Sequence, residues 1–482
     1  MKKNIYLIYP NKKGTIAPEI YGHFAEHIGG VIYDGIWVGK ESPIPNIKGF
    51  RKEIIEKLRK IKAPVIRWPG GCFAEIYDWR DGIGDNRPTR INWWTRHDGR
   101  YEPNEVGTHE FMDFCEAVGA DAYFAANMTA VTPLHIRNWM DYCLSPQGTT
   151  TLAKEREANG HPEPFNIPYW GIGNENWGGG GNMTADYCAL EFRRFSTLLE
   201  YAFPGVELFA CGQNGDNYDW TDEFLRNEKK SECHMNGLSI HYYCGTAGDV
   251  TNFTKDEWTE QLKKASFMED IILRCKNIIC AHGMEKYAKL VIDEWGCWHP
   301  EGSGPSKGKN LFEQQSTMRD AMVSALTLNI FNNHCDTIRM ANAAQLVNNL
   351  HTLFLAEGEH CITTPTYHIF DMYKEHQGAQ AIETIVDNND DFVSSITVSA
   401  SVKDGKTLIT IGNLSCTEDA QISLESLGAD IPEKAEATLL YCEDMHGHNT
   451  FDNPDCVKPE SVVVDLAKSF ILPKTGVIAI RF

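Results

Sequence analysis

The sequence lacks any apolar run long enough to cross a membrane. A transmembrane helix needs about 18 or more consecutive apolar residues, and no stretch of the 482 residues approaches that length. Two lysines near the start of the chain imitate a signal peptide, but the apolar stretch after them is short and ends at Pro10. We therefore predict a β-strand at Ile5–Pro10 and a cytoplasmic location.

Positive charge is scarce in this sequence. Lysine and arginine number 45 against 66 aspartates and glutamates, so the formal net charge is −21. Such a charge repels nucleic acids and anionic membrane surfaces, and we expect neither as a partner. An uncharged substrate such as a sugar is not affected by it.

The 15 cysteines lack the spacing of a disulfide framework or a metal site. No C-x-x-C pair occurs, and most cysteines fall in apolar contexts, as Cys115 and Cys143 do. The pattern is typical of reduced, buried thiols in a reducing compartment. No histidine pair has ligand spacing such as H-E-x-x-H, so we predict no metal, although scattered Cys and His side chains could still meet in three dimensions.

The sequence does contain a regular alternation of strand-like and helix-like segments. Eight strand–helix units in about 350 residues predict an α/β fold, a (β/α)8 TIM barrel. A doubly wound open sheet is the alternative, but no glycine-rich nucleotide loop follows an early strand. The eight apolar runs, typical of buried strands, are Glu19–Glu26, Ala63–Pro69, Ala122–Met128, Tyr169–Glu175, Glu207–Gln213, Gly237–Tyr243, Lys289–Trp295 and Thr337–Ala343. The helical patterns are Phe50–Lys62, Asn104–Gly119, Thr184–Tyr201, Lys255–His282 and Leu311–Asn333.

The composition of the chain changes after about residue 380. Segments of alternating polarity, separated by Gly, Pro, Asn and Asp, predict a small antiparallel β domain, and the N-terminal strand could join its sheet. We place the barrel at residues 14–380 and the β domain at residues 1–13 and 381–482. The predicted strands are Phe392–Ser401, Lys406–Asn413, Ala437–Cys442, Ser461–Asp465 and Gly476–Phe482.

Two predicted strands end in carboxylates beside amide and aromatic residues. Glu175 follows Asn174 at the end of the fourth run, and Glu294 lies near the end of the seventh. In a TIM barrel, functional groups lie at the carboxyl ends of the strands, and strands four and seven face each other across the mouth. Two carboxylates that flank a glycosidic bond hydrolyse sugars, with retention at about 5–5.5 Å and inversion at roughly 6.5–9.5 Å. The alternative is that both pair with a buried arginine such as Arg67.

Aromatic residues accumulate at the same strand ends. Sugar rings present C–H faces that stack on aromatic rings, so the group favours a carbohydrate site. The glycine run 178–181 could bind phosphate, but no lysine is near it, and we interpret it as a turn that lets the backbone approach a substrate. We expect Cys72 to line the site without acting as a nucleophile. The tryptophans are Trp68, Trp94, Trp177, Trp295 and Trp298.

The motifs of this chain, taken in order, resemble the α-L-arabinofuranosidases of glycoside hydrolase family 51. The resemblance implies a barrel with a C-terminal antiparallel β-sandwich, jelly-roll-like domain. It also implies a retaining, exo-acting hydrolase that releases terminal α-L-arabinofuranosyl groups from arabinan- or arabinoxylan-type oligosaccharides by double displacement. The motifs, which span nearly the whole chain, are Ile20–His27, Val65–Phe73, Asp78–Gly84, Gly173–Gly178, Ser239–Tyr243, Asp293–Trp295, Ala344–Asn348 and Asn449–Pro454.

The resemblance also implies roles for individual residues. It matches Glu175 to the general acid/base and Glu294 to the nucleophile, which are the two residues chosen from the strand ends. Family members are often homo-oligomers, which we expect here, and the resemblance implies neither a metal nor an organic cofactor. The residues expected to bind the substrate or orient the carboxylates are Glu26, Arg67, Cys72, Trp94, Asn174, His241, Tyr243, Trp298 and Gln345.

Three alternative functions remain open from the sequence. The nearest is a retaining glycosidase of the same architecture that acts on β-xylosides or β-glucans. The second is a carbohydrate-binding barrel without catalytic activity, which would bind sugar without turnover. The third is a metal-dependent hydrolase that uses Cys and His residues and loses activity on chelation.

Overall fold

The computed structural model describes residues 1–228, 234–387, 389 and 391–482. Within these ranges eight parallel strands form a closed barrel, which closes where Asn342 in the eighth strand pairs with Gly22 in the first. Each predicted run overlaps one of these strands, so the predicted TIM barrel is confirmed. The barrel strands, first to eighth, are Gly22–Phe24, Val65–Trp68, Asp121–Ala126, Tyr169–Ile172, Glu207–Ala210, Gly237–Gly245, Lys289–Trp298 and Ile338–Ala344.

One apolar layer fills the interior of the barrel. Side chains alternate along a strand, so the residue two positions after a member of this layer points inward nearer the mouth. Arg67, two positions after Val65, and Asp293, two positions after Val291, are such residues, and both are buried. The apolar layer therefore forms the floor of a polar site. Its members are Val65, Tyr123, Tyr169, Phe209, Val291 and Met340.

Helices cover the outside of the barrel, and one begins four residues later than the sequence pattern predicts. The pattern Asn104–Gly119 gives a helix that starts at Thr108, because Asn104 has a φ of 56° and the Gly107 N–H bonds the side chain of Glu110 as the helix begins. The α-helices are Lys52–Ile61, Thr95–Asp98, Thr108–Val118, Pro133–Leu144, Thr151–Ala158, Ala185–Ala202, Tyr218–Glu228, Lys255–His282, Met318–Asn333 and Pro365–Tyr373.

The helix Met318–Asn333 joins the barrel to the second sheet. It begins well after the predicted Leu311, because the Thr317 N–H donates to the side chain of Asp320 and caps it there. Near its end, Asn332 donates to the Ser399 hydroxyl at 3.0 Å. Polar side chains of the helix therefore tie the two parts of the molecule together.

Strands from both ends of the chain form the second sheet, which is mostly antiparallel. The strand Lys2–Thr15 lies between Gln380–Val386, with which it is antiparallel, and Ala420–Leu427, with which it is parallel. The predicted addition of the N-terminal strand is therefore confirmed, whereas Phe392–Ser394 forms a 3-10 helix instead of starting a strand. The strands, in sheet order, are Pro459–Asp465, Lys434–Leu440, Val477–Arg481, Lys406–Asn413, Ile396–Lys403, Gln380–Val386, Lys2–Thr15, Ala420–Leu427 and Phe470–Leu472.

Short two-stranded sheets lie in the loops between the larger elements. They pair Asn46–Ile47 with Phe50–Arg51, Arg90–Ile91 with Tyr101–Glu102, and Phe354–Glu357 with His360–Thr363. Among the described helices none has both the length and the apolar character to cross a bilayer. The described cysteines are free thiols and most of them are buried, as their spacing predicted.

Candidate active site

Arg67 lies at the centre of the polar groups at the barrel mouth. Its guanidinium donates to Glu294 Oε1 at 2.7 Å and to Asn174 Oδ1 at 2.6 Å, and its Nε is 3.5 Å from Asp293 Oδ2. Tyr123 donates to the same Asp293 oxygen at 2.8 Å. A buried cation requires paired charges and hydrogen bonds, so Arg67 fixes the ends of strands two, four and seven relative to one another.

Glu294 is held by two donors, one on each oxygen. Arg67 donates to Oε1, and the Tyr243 hydroxyl donates to Oε2 at 2.8 Å. Because both oxygens accept, the geometry fits the ionised carboxylate. Burial raises the pKa of Glu294, and the adjacent His241 and Arg67 cations oppose that rise. The side chain is thus fixed in one orientation as a negatively charged group.

Glu175 lies in a left-handed turn after the fourth strand, with a φ of 44°. Its Oε1 is 2.9 Å from His241 Nδ1, and its Oε2 is 3.9 Å from Cys72 Sγ. One oxygen of Glu175 and one oxygen of Glu294 lie within 4.8 Å of each other. The structure therefore brings the two carboxyl groups into one cavity.

His241 connects the carboxyl groups of the site. Its Nε2 is 3.2 Å from Asp293 Oδ1, and its Nδ1 is 3.5 Å from Glu294 Oε2. Burial alone would lower the pKa of His241, but the charges of Glu294 and Asp293 outweigh burial and raise the pKa to about 10. The imidazole is therefore a cation at neutral pH. The sequence groups His241 with the substrate-binding residues, whereas the structure places it between carboxylates.

Glu26 and Gln345 lie side by side at another edge of the cavity. Gln345 Nε2 donates to Glu26 Oε2 at 3.1 Å, and the Phe73 N–H donates to Oε1 at 3.0 Å. Burial and the charge of Glu294 raise the pKa of Glu26 to about 7. A carboxyl group that changes protonation near neutral pH can either donate to or accept from a sugar hydroxyl.

The side-chain amide of Asn174 forms a hydrogen bond through its oxygen but not through its nitrogen among the described residues. Its Oδ1 accepts from Arg67, while its Nδ2 has no hydrogen-bond partner among the described residues. Gly71 borders the same space, since a Cβ at this position would lie 2.7 Å from Glu294 Oε1 and 3.3 Å from Asn174 Nδ2. The glycine therefore keeps open the space in front of Glu294 where a sugar could meet both side chains.

Aromatic rings form one wall of the cavity. Trp298 is 39% exposed and meets Tyr243 edge-on, with ring centroids 5.1 Å apart. Phe312 lies between Trp298 and Trp94, at centroid distances of 4.9 and 5.7 Å. The exposed ring of Trp298 supplies a face on which a sugar can stack.

Two of the tryptophans that the sequence placed at strand ends belong to the core instead. Trp68 and Trp295 are buried. Trp68 Nε1 donates to His27 Nε2 at 2.9 Å, and Trp295 packs edge-on against Phe331 at a centroid distance of 5.4 Å. Their interpretation as part of a sugar-binding cluster was wrong, because both rings point away from the barrel mouth into packed surroundings.

The thiol of Cys72 borders the cavity on the side of Glu175. Burial and the negative charge of Glu175 raise the pKa of the thiol well above its ordinary value. A thiol that stays protonated is a poor nucleophile. Its position supports a role in lining the cavity rather than in forming covalent bonds.

Two groups of described residues place metal-ligand atoms within 4.8 Å of one another. One is the cluster of two carboxylates and His241 described above, and the other is Cys297, His299 and Asp320. In the second group His299 Nε2 is 2.9 Å from Asp320 Oδ1, and Asp320 also caps a helix. Hydrogen bonds between protein groups account for both arrangements.

Two buried carboxyl groups, Asp293 and Glu75, are not among the site residues predicted from the sequence. Asp293 directly precedes Glu294, and consecutive strand residues ordinarily face opposite sides, but the register of the seventh strand shifts there and both reach the interior. Burial would raise the pKa of Asp293, but Arg67 and His241 hold it well below its ordinary value. The only sequence signal for Glu75 is its place in the segment after the second strand.

Comparisons with known proteins agree with this architecture. Residues 57–255 match the family model of the α-L-arabinofuranosidase 1 domain, and residues 293–475 match that of the α-L-arabinofuranosidase C-terminal domain. The chain is 38% identical over 464 residues to an intracellular exo-α-L-arabinofuranosidase of Bacteroides ovatus, covering 93% of this chain and 88% of that protein. It is 32% identical to α-L-arabinofuranosidase C of Emericella nidulans, covering 71% of this chain and 68% of that protein.

The fold is also that of solved arabinofuranosidases. The crystal structure of the family 51 arabinofuranosidase from Xanthomonas axonopodis pv. citri is 36% identical, covers 100% of this chain and 99% of its own, and superposes with a TM-score of 0.91. An arabinose complex of the Thermotoga maritima α-L-arabinofuranosidase is 28% identical with a TM-score of 0.87, covering 100% and 99% of the two chains. Sequence identity and fold both extend over nearly the whole molecule, so this chain belongs to the α-L-arabinofuranosidases of glycoside hydrolase family 51.

Proposed function

We propose that the chain is a retaining exo-α-L-arabinofuranosidase in which Glu294 is the nucleophile and Glu175 the general acid/base. The observation that carries this proposal is the separation of less than 4.8 Å between one oxygen of each carboxyl group. Retaining glycosidases hold the two groups about 5–5.5 Å apart, whereas inverting enzymes need roughly 6.5–9.5 Å to admit a water molecule. The short separation supports double displacement.

The surroundings of the two carboxyl groups support their separate roles. Glu294 accepts hydrogen bonds on both oxygens, so it is held as an anion that can attack. Its side chain is 8% exposed, whereas that of Glu175 is 21% exposed. Glu175 can therefore reach the leaving group and, later, the water that enters, which an acid/base must do.

In the first step, an oxygen of Glu294 attacks the anomeric carbon of the arabinofuranosyl group. The bond from that carbon to the leaving oxygen breaks, and Glu175 transfers its proton to this oxygen, so that a neutral alcohol departs. The hydrogen bonds from Arg67 and Tyr243 to Glu294 lie on the attacking group and keep it aligned. The product of this step is a covalent glycosyl–enzyme ester.

In the second step, a water molecule attacks the same carbon from the side that the leaving group vacated. Glu175, now a carboxylate, takes a proton from the water, and the ester bond to Glu294 breaks. Two inversions at one carbon give net retention. The cation of His241, 2.9 Å from Glu175 Oε1, stabilises Glu175 while it carries the negative charge.

We further propose that the substrate is a terminal α-L-arabinofuranosyl group on an oligosaccharide from arabinan or arabinoxylan. The Bacteroides ovatus relative is named an intracellular exo-enzyme, which supports exo-action and a cytoplasmic location here. Glu26, Gln345 and the free amide nitrogen of Asn174 supply polar groups for the furanose hydroxyls. A homo-oligomeric assembly, without nucleic-acid or membrane partners, is part of the same proposal.

The experiment that tests the proposed function is a panel of nitrophenyl glycosides followed by NMR of the first product. We expect hydrolysis of the α-L-arabinofuranoside and initial release of the α anomer of arabinose. Initial release of the β anomer would refute retention. Preference for the β-xyloside or β-glucoside would favour the alternative glycosidase. Binding of sugar without turnover would favour the carbohydrate-binding barrel. Loss of activity with a chelator would favour the metal-dependent hydrolase.

A further inference from the structure

Glu75 is a buried carboxylate that joins three strand ends, and the reaction steps above do not use it. The residue is 1% exposed and lies in the 3-10 turn that follows the second barrel strand. Its Oε1 accepts from the Asn174 N–H at 2.6 Å and from Asn176 Nδ2 at 3.1 Å. Its Oε2 accepts from the Met128 and Thr129 N–H groups, both at 2.8 Å. Four donors therefore converge on one carboxylate.

The two residues that bond Glu75 Oε1 flank Glu175. Glu175 itself has the φ of 44° that makes a tight left-handed turn between them. The Asn176 amide also donates to the Gly180 carbonyl at 2.6 Å, which folds the glycine run back over the turn. At Gly180 the approach is so close that a Cβ would lie 1.8 Å from the Asn174 carbonyl oxygen. Hydrogen bonds of the residues before and after Glu175 therefore hold the turn that carries it.

Glu175 and Glu294 depend on different supports. Arg67 and Tyr243 bond the carboxylate of Glu294 directly. The carboxyl group of Glu175 contacts His241 and the Cys72 thiol, and its backbone position is set by the hydrogen bonds to Glu75. A change at Glu75 therefore disturbs the acid/base more than the nucleophile.

We propose that Glu75 is a positioning residue for proton donation, which holds the turn so that the carboxyl group of Glu175 meets the leaving oxygen. This inference rests on the proposed roles of Glu175 and Glu294. A misplaced acid slows the reaction when the leaving group needs a proton and has little effect when it does not. The proposal therefore predicts a loss that depends on the leaving group.

The test is the variant Glu75→Gln, which keeps the size of the side chain. Whichever way the amide turns, its NH2 group faces two N–H donors, so two of the four hydrogen bonds are lost. We expect kcat/KM for an alkyl arabinofuranoside, a poor leaving group, to fall roughly 10- to 100-fold. For the dinitrophenyl arabinofuranoside we expect a loss under about threefold. Equal losses on both substrates would overturn the proposal.

A double-mutant cycle decides whether Glu75 acts through Glu175. In the Glu175→Ala background, Glu75→Gln should cause no further loss on the alkyl substrate, because the acid is already gone. An undiminished second loss would contradict the positioning role. The matched control is Glu19→Gln. Glu19 accepts at 2.7 Å from the hydroxyl of Tyr169, which begins the fourth strand at the end opposite to Glu175. We expect this variant to retain activity on both substrates.

A second variant keeps the proposal testable if Glu75→Gln does not fold. Asn176→Ala removes one of the four bonds to Glu75 together with the bond to Gly180. It should show a smaller loss with the same dependence on the leaving group, and a uniform loss would overturn the proposal. If Glu175→Ala alone affects both substrates equally, the proposed function itself fails. If Glu75→Gln alone causes equal losses on the two substrates, the proposed role of Glu75 fails but the proposed function does not.

Discussion

The two ends of the barrel both carry ion pairs in which carboxyl groups outnumber cations, but the burial of these groups differs. At the base, Arg339 pairs with Glu19 at 2.8 Å and with Glu207 at 2.7 Å, and all three side chains are partly exposed. At the mouth, most of the charged groups are buried. The groups at the mouth are the carboxyls of Glu26, Glu175, Asp293 and Glu294 and the cations of Arg67 and His241.

This difference in burial favours a functional role for the network at the mouth. Partly exposed pairs such as those of Arg339 are screened by water and affect stability modestly. Buried carboxyl groups are costly to ionise and are found where a reaction uses them. Glycoside hydrolysis passes through a transition state with positive charge on the sugar, which a buried carboxylate beside the sugar can stabilise. Substitutions at the two ends should therefore have different consequences.

The largest effect is expected from Glu294→Ala at the mouth. Because the attacking group is removed, kcat should fall on the order of 10⁴-fold or more for every substrate. The measurement is turnover of both nitrophenyl and dinitrophenyl arabinofuranosides. Added azide should restore some turnover by attacking from the vacated side and should give a product of inverted configuration. Substantial residual turnover without azide would remove Glu294 from its proposed role.

The next largest effect is expected from Glu175→Ala. For alkyl arabinofuranosides kcat/KM should fall about 10²- to 10⁴-fold, whereas dinitrophenyl arabinofuranosides should lose less than about tenfold because their leaving group needs no proton. Steady-state kinetics on both substrates measure the difference between the two losses in kcat/KM. A similar loss on both would argue that Glu175 has some other function.

A smaller effect concerns the dependence of stability on pH. The pKa of His241 is raised to about 10 in the folded protein, compared with about 6.5 in the unfolded chain. Protonation of His241 therefore favours the folded state fully below pH 6.5, and this contribution declines as the pH rises towards 10, by at most about 1.4 kcal/mol per pH unit. Urea unfolding between pH 7 and 10 should show a steeper loss for the wild type than for His241→Gln. Parallel curves would contradict the buried cation.

The smallest effect is expected at the base. Glu19→Gln weakens the pair with Arg339 and should lower the free energy of unfolding by about 1 kcal/mol. The rate of hydrolysis should stay within about twofold of the wild type, because the change lies below the apolar layer of the barrel. Thermal unfolding and arabinofuranoside hydrolysis measure the two quantities. A large loss of activity would show that the two ends are coupled.

The sequence predicted the barrel better than it predicted the site. Buried strands leave continuous apolar runs, and all eight were found because parallel sheets covered on both faces need them. The strands Gln380–Val386 and Ala420–Leu427 were missed because their alternation is mixed with polar residues such as Glu383 and Glu425. Local patterns cannot show that these strands pair with residues about 370 and about 420 positions away.

The positions of the predicted carboxyl groups followed from the strand ends, and the family resemblance added Arg67 and Tyr243, which bond Glu294. Asp293 and Glu75 were not predicted. Asp293 faces the interior by alternation from Val291, and Glu294, the next residue, reaches it as well because the register of the seventh strand shifts. Glu75 gains its importance from backbone N–H groups of other segments, which no residue type reveals. Trp68 and Trp295 look like ligand platforms in the sequence and are core residues, because composition does not state the direction of a side chain.

The placement of the strand Lys2–Thr15 between Gln380–Val386 and Ala420–Leu427 has a consequence for biosynthesis. A ribosome makes this strand before its two neighbours, whose paired residues follow about 370 and about 420 positions later. At roughly 5–20 residues per second, the strand must wait tens of seconds with both edges unpaired. The barrel can close during that interval, but the second sheet cannot be completed until the strand Val477–Arg481 has been made.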